Sequence, residues 1–185
     1  MLSPQTLADG DRRRVAAWAA DCAERVLPLF EAEHPDDDRP RDAIARARAY
    51  ARGELDAAGE IRRRFIAGRA ASDAADPAAV AAARSAAQAA GVAHMGAHAL
   101  GAAAYAAKAA GLGAPEDADA ATEGELRWQL DRMTPEVRAA LGRLPSVGED
   151  RAGPLGDGGL LATGVLGAVI RRLQDEIGTT PVVRP

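Results

Sequence analysis

PAAVAAARSAAQAAGVAHMGAHALGAAAYAAKAAG, residues 77–111, decides the fold. Alanine is the strongest helix former and carries almost no side chain, so this stretch favours a helix whose backbone can approach its neighbours closely. The preceding Asp76 and then Pro77 give a cap followed by proline at the first helical position. The pattern predicts a central helix reaching to about Ala110, either one helix of more than about thirty residues or two in line. Gly91, Gly96 and Gly101 interrupt it. Each costs about 1 kcal/mol against alanine, so we read them as positions of close packing. Val80, Ala87, Gly91, His94, His98, Ala102 and Tyr105 are expected on one face.

The flanks read as further helices. Val15, Trp18, Cys22, Val26 and Leu29 recur at spacings of three or four, predicting a first helix from Asp9 or Asp11 to about Glu33, kinked at Pro28. An aspartate-rich loop, His34 to Asp38, precedes a second helix with Pro40 in its first turn and Ile44, Ala47 and Ala51 inward. A third is expected from about Leu55 to Ala74, with Ile61, Phe65 and Gly68 inward. Thr122 and Glu125 have the spacing of a capping box ahead of Leu126, Leu130 and Met133. Thr134-Pro135 caps a short helix, and a last one spans about Leu160 to Ile177. The fold class is all-α: a multi-helix bundle of about six to seven helices around the long alanine/glycine-rich one. Aromatic residues are only 3% of the chain, so Trp18, Phe30, Tyr50, Phe65, Tyr105 and Trp128 should act as anchors of an alanine core.

The 185 residues carry a formal net charge of −4, with a sequence pI of about 5.4, which argues against nucleic-acid binding by phosphate neutralisation. The basic runs Arg12 to Arg14 and Arg62 to Arg64 sit among acids and read as solvated helix faces. No apolar run is long enough for a membrane span and the N-terminus is polar, so a cytoplasmic location is expected. Cys22, the single cysteine, falls on an apolar stripe and reads as an inert buried thiol.

Few residues offer chemistry. His94 and His98, four apart on a helix, would lie about 6 Å from each other and could share a divalent metal, with His34 as third ligand. The zincin pattern needs a glutamate where Met95 stands. Tyr105 would extend the pair into a His-His-Tyr line suited to acid–base work. The structural alternative makes both histidines hydrogen-bonded core residues and Tyr105 a packing anchor. Glu31, Glu33, Asp36, Asp37 and Asp38 form the densest acidic cluster, either a decoy surface for a basic partner or a solvated, helix-capping loop. Ligand or partner contact is assigned to Glu31, His34, Asp36, Asp37 and Trp128. No phosphate loop or Gly-x-Ser-x-Gly elbow is present, and no cofactor is predicted.

Three blocks resemble a known family. Residues 16–31, from Ala16-Ala17-Trp18 to Leu29-Phe30-Glu31, together with Asp37-Asp38-Arg39-Pro40-Arg41, are similar to the opening of bacterial immunity proteins with an Imm-5-like domain. Residues 93–109, containing His94-Met95-Gly96-Ala97-His98 and Tyr105, resemble that family's central helix, and Glu125-Leu126-Arg127-Trp128-Gln129 its next one. The blocks occur in order and span roughly 12 to 144; from about Ser146 the chain departs from the pattern. The resemblance implies a helical Imm-5-like domain over 1–144 that neutralises a protein toxin in interbacterial conflict, and it carries over no catalytic residue. Residues 145–159 would then be a linker, and 160–185 an extra helix and tail packed on the same domain or serving a homodimer. The alternative is a small-molecule binder or enzyme of a bacterial specialised-metabolite pathway, with its pocket around His94, His98 and Tyr105.

Overall fold

The computed structural model describes residues 3–63 and 66–179, except for the side chains of residues 61–63 and 67. Phe65, the side chain of Ile61, the Arg62 to Arg64 run and the tail from Pro181 to Pro185 therefore lie outside what is described. Within it the chain is an all-α bundle: α1 (Asp9–Glu31), α2 (Arg39–Ala51), α3 (Ala57–Arg63), α4 (Ile66–Asp73), α5 (Pro77–Gly91), α6 (His98–Gly113), α7 (Ala118–Asp131), α8 (Pro135–Leu141) and α9 (Gly164–Thr179).

The alanine-rich stretch is two helices, and they are not in line. α5 ends at Gly91, a turn spans 92–97, and α6 folds back against α5. The Ser85 hydroxyl donates to the carbonyl of Ala102 at 2.8 Å, and Gln88 meets His98 at 2.7 Å, contacts that fix an antiparallel hairpin. No proline breaks the helix there. The break is stabilised from the N-terminus, where a short 3₁₀ turn, Pro4–Thr6, lies against the turn. The amides of Gly96 and Ala97 donate to the carbonyls of Thr6 and Gln5, each at 3.0 Å. Two amide groups of the turn and cap ahead of α6 thereby find acceptors.

α5 and α6 form the centre, with α1 across both, α2 and α4 beside α5, and α7 and α9 beside α6. The buried positions of α5 are Ala78, Ala79, Ala81, Ala82, Ala83, Ser85, Ala86, Ala89 and Gly91, while Val80 and Ala87 of the expected face are only half-buried. A helix apolar nearly all round has no single inward face to read. The glycines pack as expected: a Cβ on Gly101 would meet Leu161 at 2.8 Å and the Gln88 amide carbon at 2.9 Å. Trp18, Phe30, Tyr50 and Tyr105 are buried anchors, and Trp128 is half-buried against the same core.

α1 keeps Pro28 within its last turns and buries Val15, Trp18, Cys22, Val26 and Phe30. Arg12 and Arg13 pair with Asp9, and Arg14 with Asp11. The described parts of the expected third helix are α3 and α4, and α3 is tied to α2 by Arg46 on the buried Glu60, at 2.5 Å. Asp38 occupies the cap position of α2 without a capping bond; the Asp37 carboxylate accepts from the Arg39 amide instead, at 3.1 Å. The capping box is also corrected. α7 begins at Ala118, so Thr122 lies inside the helix, its hydroxyl on the Ala107 carbonyl at 3.5 Å. The Thr134 cap is realised, accepting from the Val137 amide at 3.3 Å.

Residues 145–163 are irregular, with positive φ at Gly148, Gly153 and Gly158. Leu155 and Leu161 of this segment are fully buried. Gln5, also fully buried, donates to Asp150 and to the Ala152 carbonyl at 2.9 and 2.7 Å, and accepts from the Leu155 amide at 3.0 Å. α9 then lays Leu166, Val169, Ile170, Leu173 and Ile177 onto α6, α7 and α8.

Candidate functional site

His94 and His98 are adjacent, but not as neighbours on one helix face. His94 lies in the turn between α5 and α6, and His98 is the first residue of α6. Their ring centroids are 4.9 Å apart and the planes tilted by 52°. His98 Nδ1 is 2.7 Å from Gln88 Oε1. An amide oxygen only accepts, so Nδ1 carries the proton and Nε2 keeps the lone pair. Burial, with the neighbouring His94, pushes the His98 pKa down to about 4, so the ring is neutral at pH 7. A Cβ on Gly91 would lie 3.0 Å from this ring, and the glycine leaves the imidazole its place. His98 thus pins the helix hairpin. Tyr105 is buried two turns further along α6. Among the described residues no three His, Cys, Asp or Glu side chains gather as a metal site would need, so His34 does not complete a triad with the pair.

The acidic loop is largely satisfied within the chain. Glu31 pairs with Arg41 at 2.6 Å, and Asp37 with Arg39, which also reaches Asp73 at 2.7 Å. Glu33 accepts from the amides of Ala75 and Asp76, tying the loop to the start of α5. His34 stacks on Phe30 with centroids 5.1 Å apart. Asp36 and Asp38 are exposed. The Arg39 guanidinium beside Asp37 holds that carboxyl below its usual range.

Trp128, in contrast, sits on a prepared surface. Its ring faces the guanidinium of Arg25 at 4.6 Å and that of Arg132 at 5.4 Å. Behind it lies a buried polar core: Glu125, 4% exposed, accepts from Arg25 at 2.6 Å and from the Gln129 amide at 3.0 Å. Gln129 also donates to the Ala103 carbonyl at 3.1 Å, and its own carbonyl accepts from Trp18 Nε1 at 2.9 Å. Arg25 is therefore fixed at both ends, on a buried carboxylate and over an aromatic face. Beside Trp128 the surface dips twice. One hollow of about 190 Å³ is lined by Asp21, Glu24, Arg25, Trp128 and Arg132. The other, about 360 Å³, includes Ala17, Trp18, Arg132 and Val137. Neither is lined by His94, His98 or Tyr105.

The sequence offers Trp128 as a candidate contact and shows nothing of the side chains that surround it. Arg25 and Glu125 are 100 positions apart. The spacing of Glu125 and Gln129, one helical turn, was the available signal, since two polar residues flanked by Leu126 and Leu130 point along an otherwise apolar face. A further groove of about 310 Å³ separates α7, α8 and α9, with Leu126, Leu130 and Leu173 in it and Glu123, Arg127, Arg138 and Arg172 among its charged residues. Arg172 crosses it to Glu123 at 2.5 Å.

A family model described as Imm-5 like putative immunity protein matches residues 5–136. The match takes in α1 to α7 and the Trp128 surface, and ends before α9. No curated protein and no solved structure matches the chain.

Proposed function

We propose that this chain, which belongs to the Imm-5-like immunity protein family, binds a protein toxin of interbacterial conflict and neutralises it through the α1–α7–α8 face around Trp128. The observation that carries the assignment of the face is Trp128 lying beside Arg25 and Arg132 above a buried Glu125 and Gln129. Binding energy in protein interfaces concentrates on tryptophan and arginine held in place before the partner arrives. Here the ordering cost of Arg25 is met within the free protein, because Glu125 and the Trp128 ring already hold it. The same face presents Ala17 and Val137 between charged neighbours, the mixture of apolar centre and polar rim that interfaces use.

The test is co-expression with each product of the genes neighbouring this one that arrests growth on its own, read as growth. Wild-type protein should rescue growth and bind the purified toxin. Trp128→Ala should weaken binding by about 2 kcal/mol or more, roughly thirtyfold, since it removes a central aromatic anchor. Because the ring is half-buried against the core, the melting curve of the variant is measured alongside, and Trp128→Phe, which keeps an aromatic face under Arg25, separates lost contact from lost packing. Full rescue by Trp128→Ala with unchanged affinity moves the interface elsewhere; no binding by the wild-type chain removes the toxin reading altogether.

A further inference from the structure

Arg132 is where the two hollows meet: it lines both. It is exposed and follows the last residue of α7. The charges around it are mostly matched. Arg25 rests on Glu125, and Arg48 holds Asp21 and Glu24 at 2.8 and 2.6 Å. Arg14 lies 3.1 Å from Asp11. Glu136, also on this rim, is stabilised as a carboxylate mainly by the Thr134 hydroxyl. Arg132 meets the Trp128 ring, and among the described residues no carboxylate lies within ion-pair distance of it. Its guanidinium is thus a planar fork of donors, steadied on an aromatic face and open to an acceptor. Next to it the larger hollow offers Ala17, Trp18 and Val137, an apolar lining with room for a bulky side chain.

We propose that this face receives a protein segment that presents a carboxylate beside a large apolar side chain, the carboxylate on the Arg132 fork and the apolar group in the hollow of Ala17, Trp18 and Val137. This rests on the reading of the face as the partner surface, and it names the chemistry of the partner. A carboxylate takes two parallel hydrogen bonds from a guanidinium, which sets direction as well as attraction. The apolar neighbour supplies burial that a charge pair at a rim lacks. The contact is opposite in sign to an acidic-decoy mechanism: Glu31 and Asp37 of the acidic loop are paired with Arg41 and Arg39, whereas Arg132 offers a guanidinium with no described carboxylate on it.

The experiment selects a display library of short random peptides on the full chain, then measures the enriched peptides by fluorescence polarisation. The expected result is enrichment of Asp or Glu next to Leu, Phe or Met. Arg132→Glu should weaken those peptides at least about tenfold, and Arg132→Gln by less, as loss of a charge-assisted contact demands. Ala17→Trp, which fills the hollow, should weaken them while leaving the melting curve in place. Peptides lacking an acid, peptides equally bound by Arg132→Glu, or no enrichment at all would overturn the proposal. The selection does not involve the toxin, so the two readings fail separately. Acidic, Arg132-dependent peptides with no growth rescue would keep the surface and remove the toxin role. Growth rescue without such peptides would keep the role and remove this chemistry.

Discussion

His98 shows how one side chain can fix the approach of two helices. Its ring fits because Gly91 lacks a Cβ, and its Nδ1–H donates to Gln88 Oε1, whose own room depends on Gly101. The three residues hold α5 and α6 at a separation that alanine surfaces alone would leave unspecified. A consequence follows for pH. The ordinary pKa of 6.5 describes the unfolded chain, and the folded value is down at about 4. Between those values the unfolded state binds the extra proton, so stability is fully present above pH 6.5 and is lost as pH falls toward 4. The ceiling on the loss is about 3 kcal/mol, from a shift of roughly two and a half pKa units. Urea melts of wild type and His98→Gln across that range check it. The variant should lose part of the acid slope while keeping a hydrogen-bonding group against Gln88. An identical slope in both proteins would place the acid sensitivity elsewhere, for instance in the arginine-paired carboxylates Asp9, Glu24 and Asp37, whose folded pKa values are lowered.

At the scale of elements, the ends that are fixed by local chemistry can be read from the sequence, and those fixed by distant groups cannot. Asp76 accepts from the amides of Ala78 and Ala79, and Thr134 from that of Val137, each within a few residues, so both helix starts were legible. The break after Gly91 was not, because its acceptors are the carbonyls of Gln5 and Thr6, some ninety residues earlier. Thr122 and Glu125 misled for a related reason: their spacing suits a cap, but Thr122 packs against Gly111 and Glu125 is drawn inward by Arg25. The candidate site divides in the same way, with His94, His98 and Trp128 visible as residue types and the pairing that prepares Trp128 invisible. Gln5 is the clearest long-range element contact. It joins the N-terminal turn, which supports the α5–α6 break, to the loop at Asp150, Ala152 and Leu155. Gln5→Ala leaves the Leu155 amide and the Ala152 carbonyl without that partner and should cost about 2 kcal/mol or more. Hydrogen exchange should accelerate at the Leu155 amide, and also at Gly96 and Ala97 if the turn loosens with it. A loss below about 0.5 kcal/mol, the usual range for surface substitutions, would show that Gln5 merely fills space.

The whole molecule is larger than its family match, and the part beyond residue 136 is built into the core. Leu155, Leu161, Ile170 and Leu173 are fully buried, and Leu161 packs on the bare backbone of Gly101 in the first turn of α6. An alanine core makes this more consequential. α6 offers few large side chains of its own, so much of the apolar volume against its α9 side comes from the C-terminal segment. Burying a large aliphatic side chain fully is worth about 1.5–3 kcal/mol, and four of them approach the whole stability of an ordinary domain of about 5–15 kcal/mol. The chain ending at Leu144 should therefore fail to fold cooperatively, even though it retains the matched region and the Trp128 face. Circular dichroism would show reduced helix and a broad thermal transition, and Trp18 would report a wetter environment. Supplying residues 145–185 as a separate fragment should restore part of the transition, since the lost contacts are packing rather than chain connection. A shortened chain that melts sharply near the full-length temperature would mean that α6 and α7 close over the exposed side unaided, leaving α9 as an addition that stabilises nothing essential.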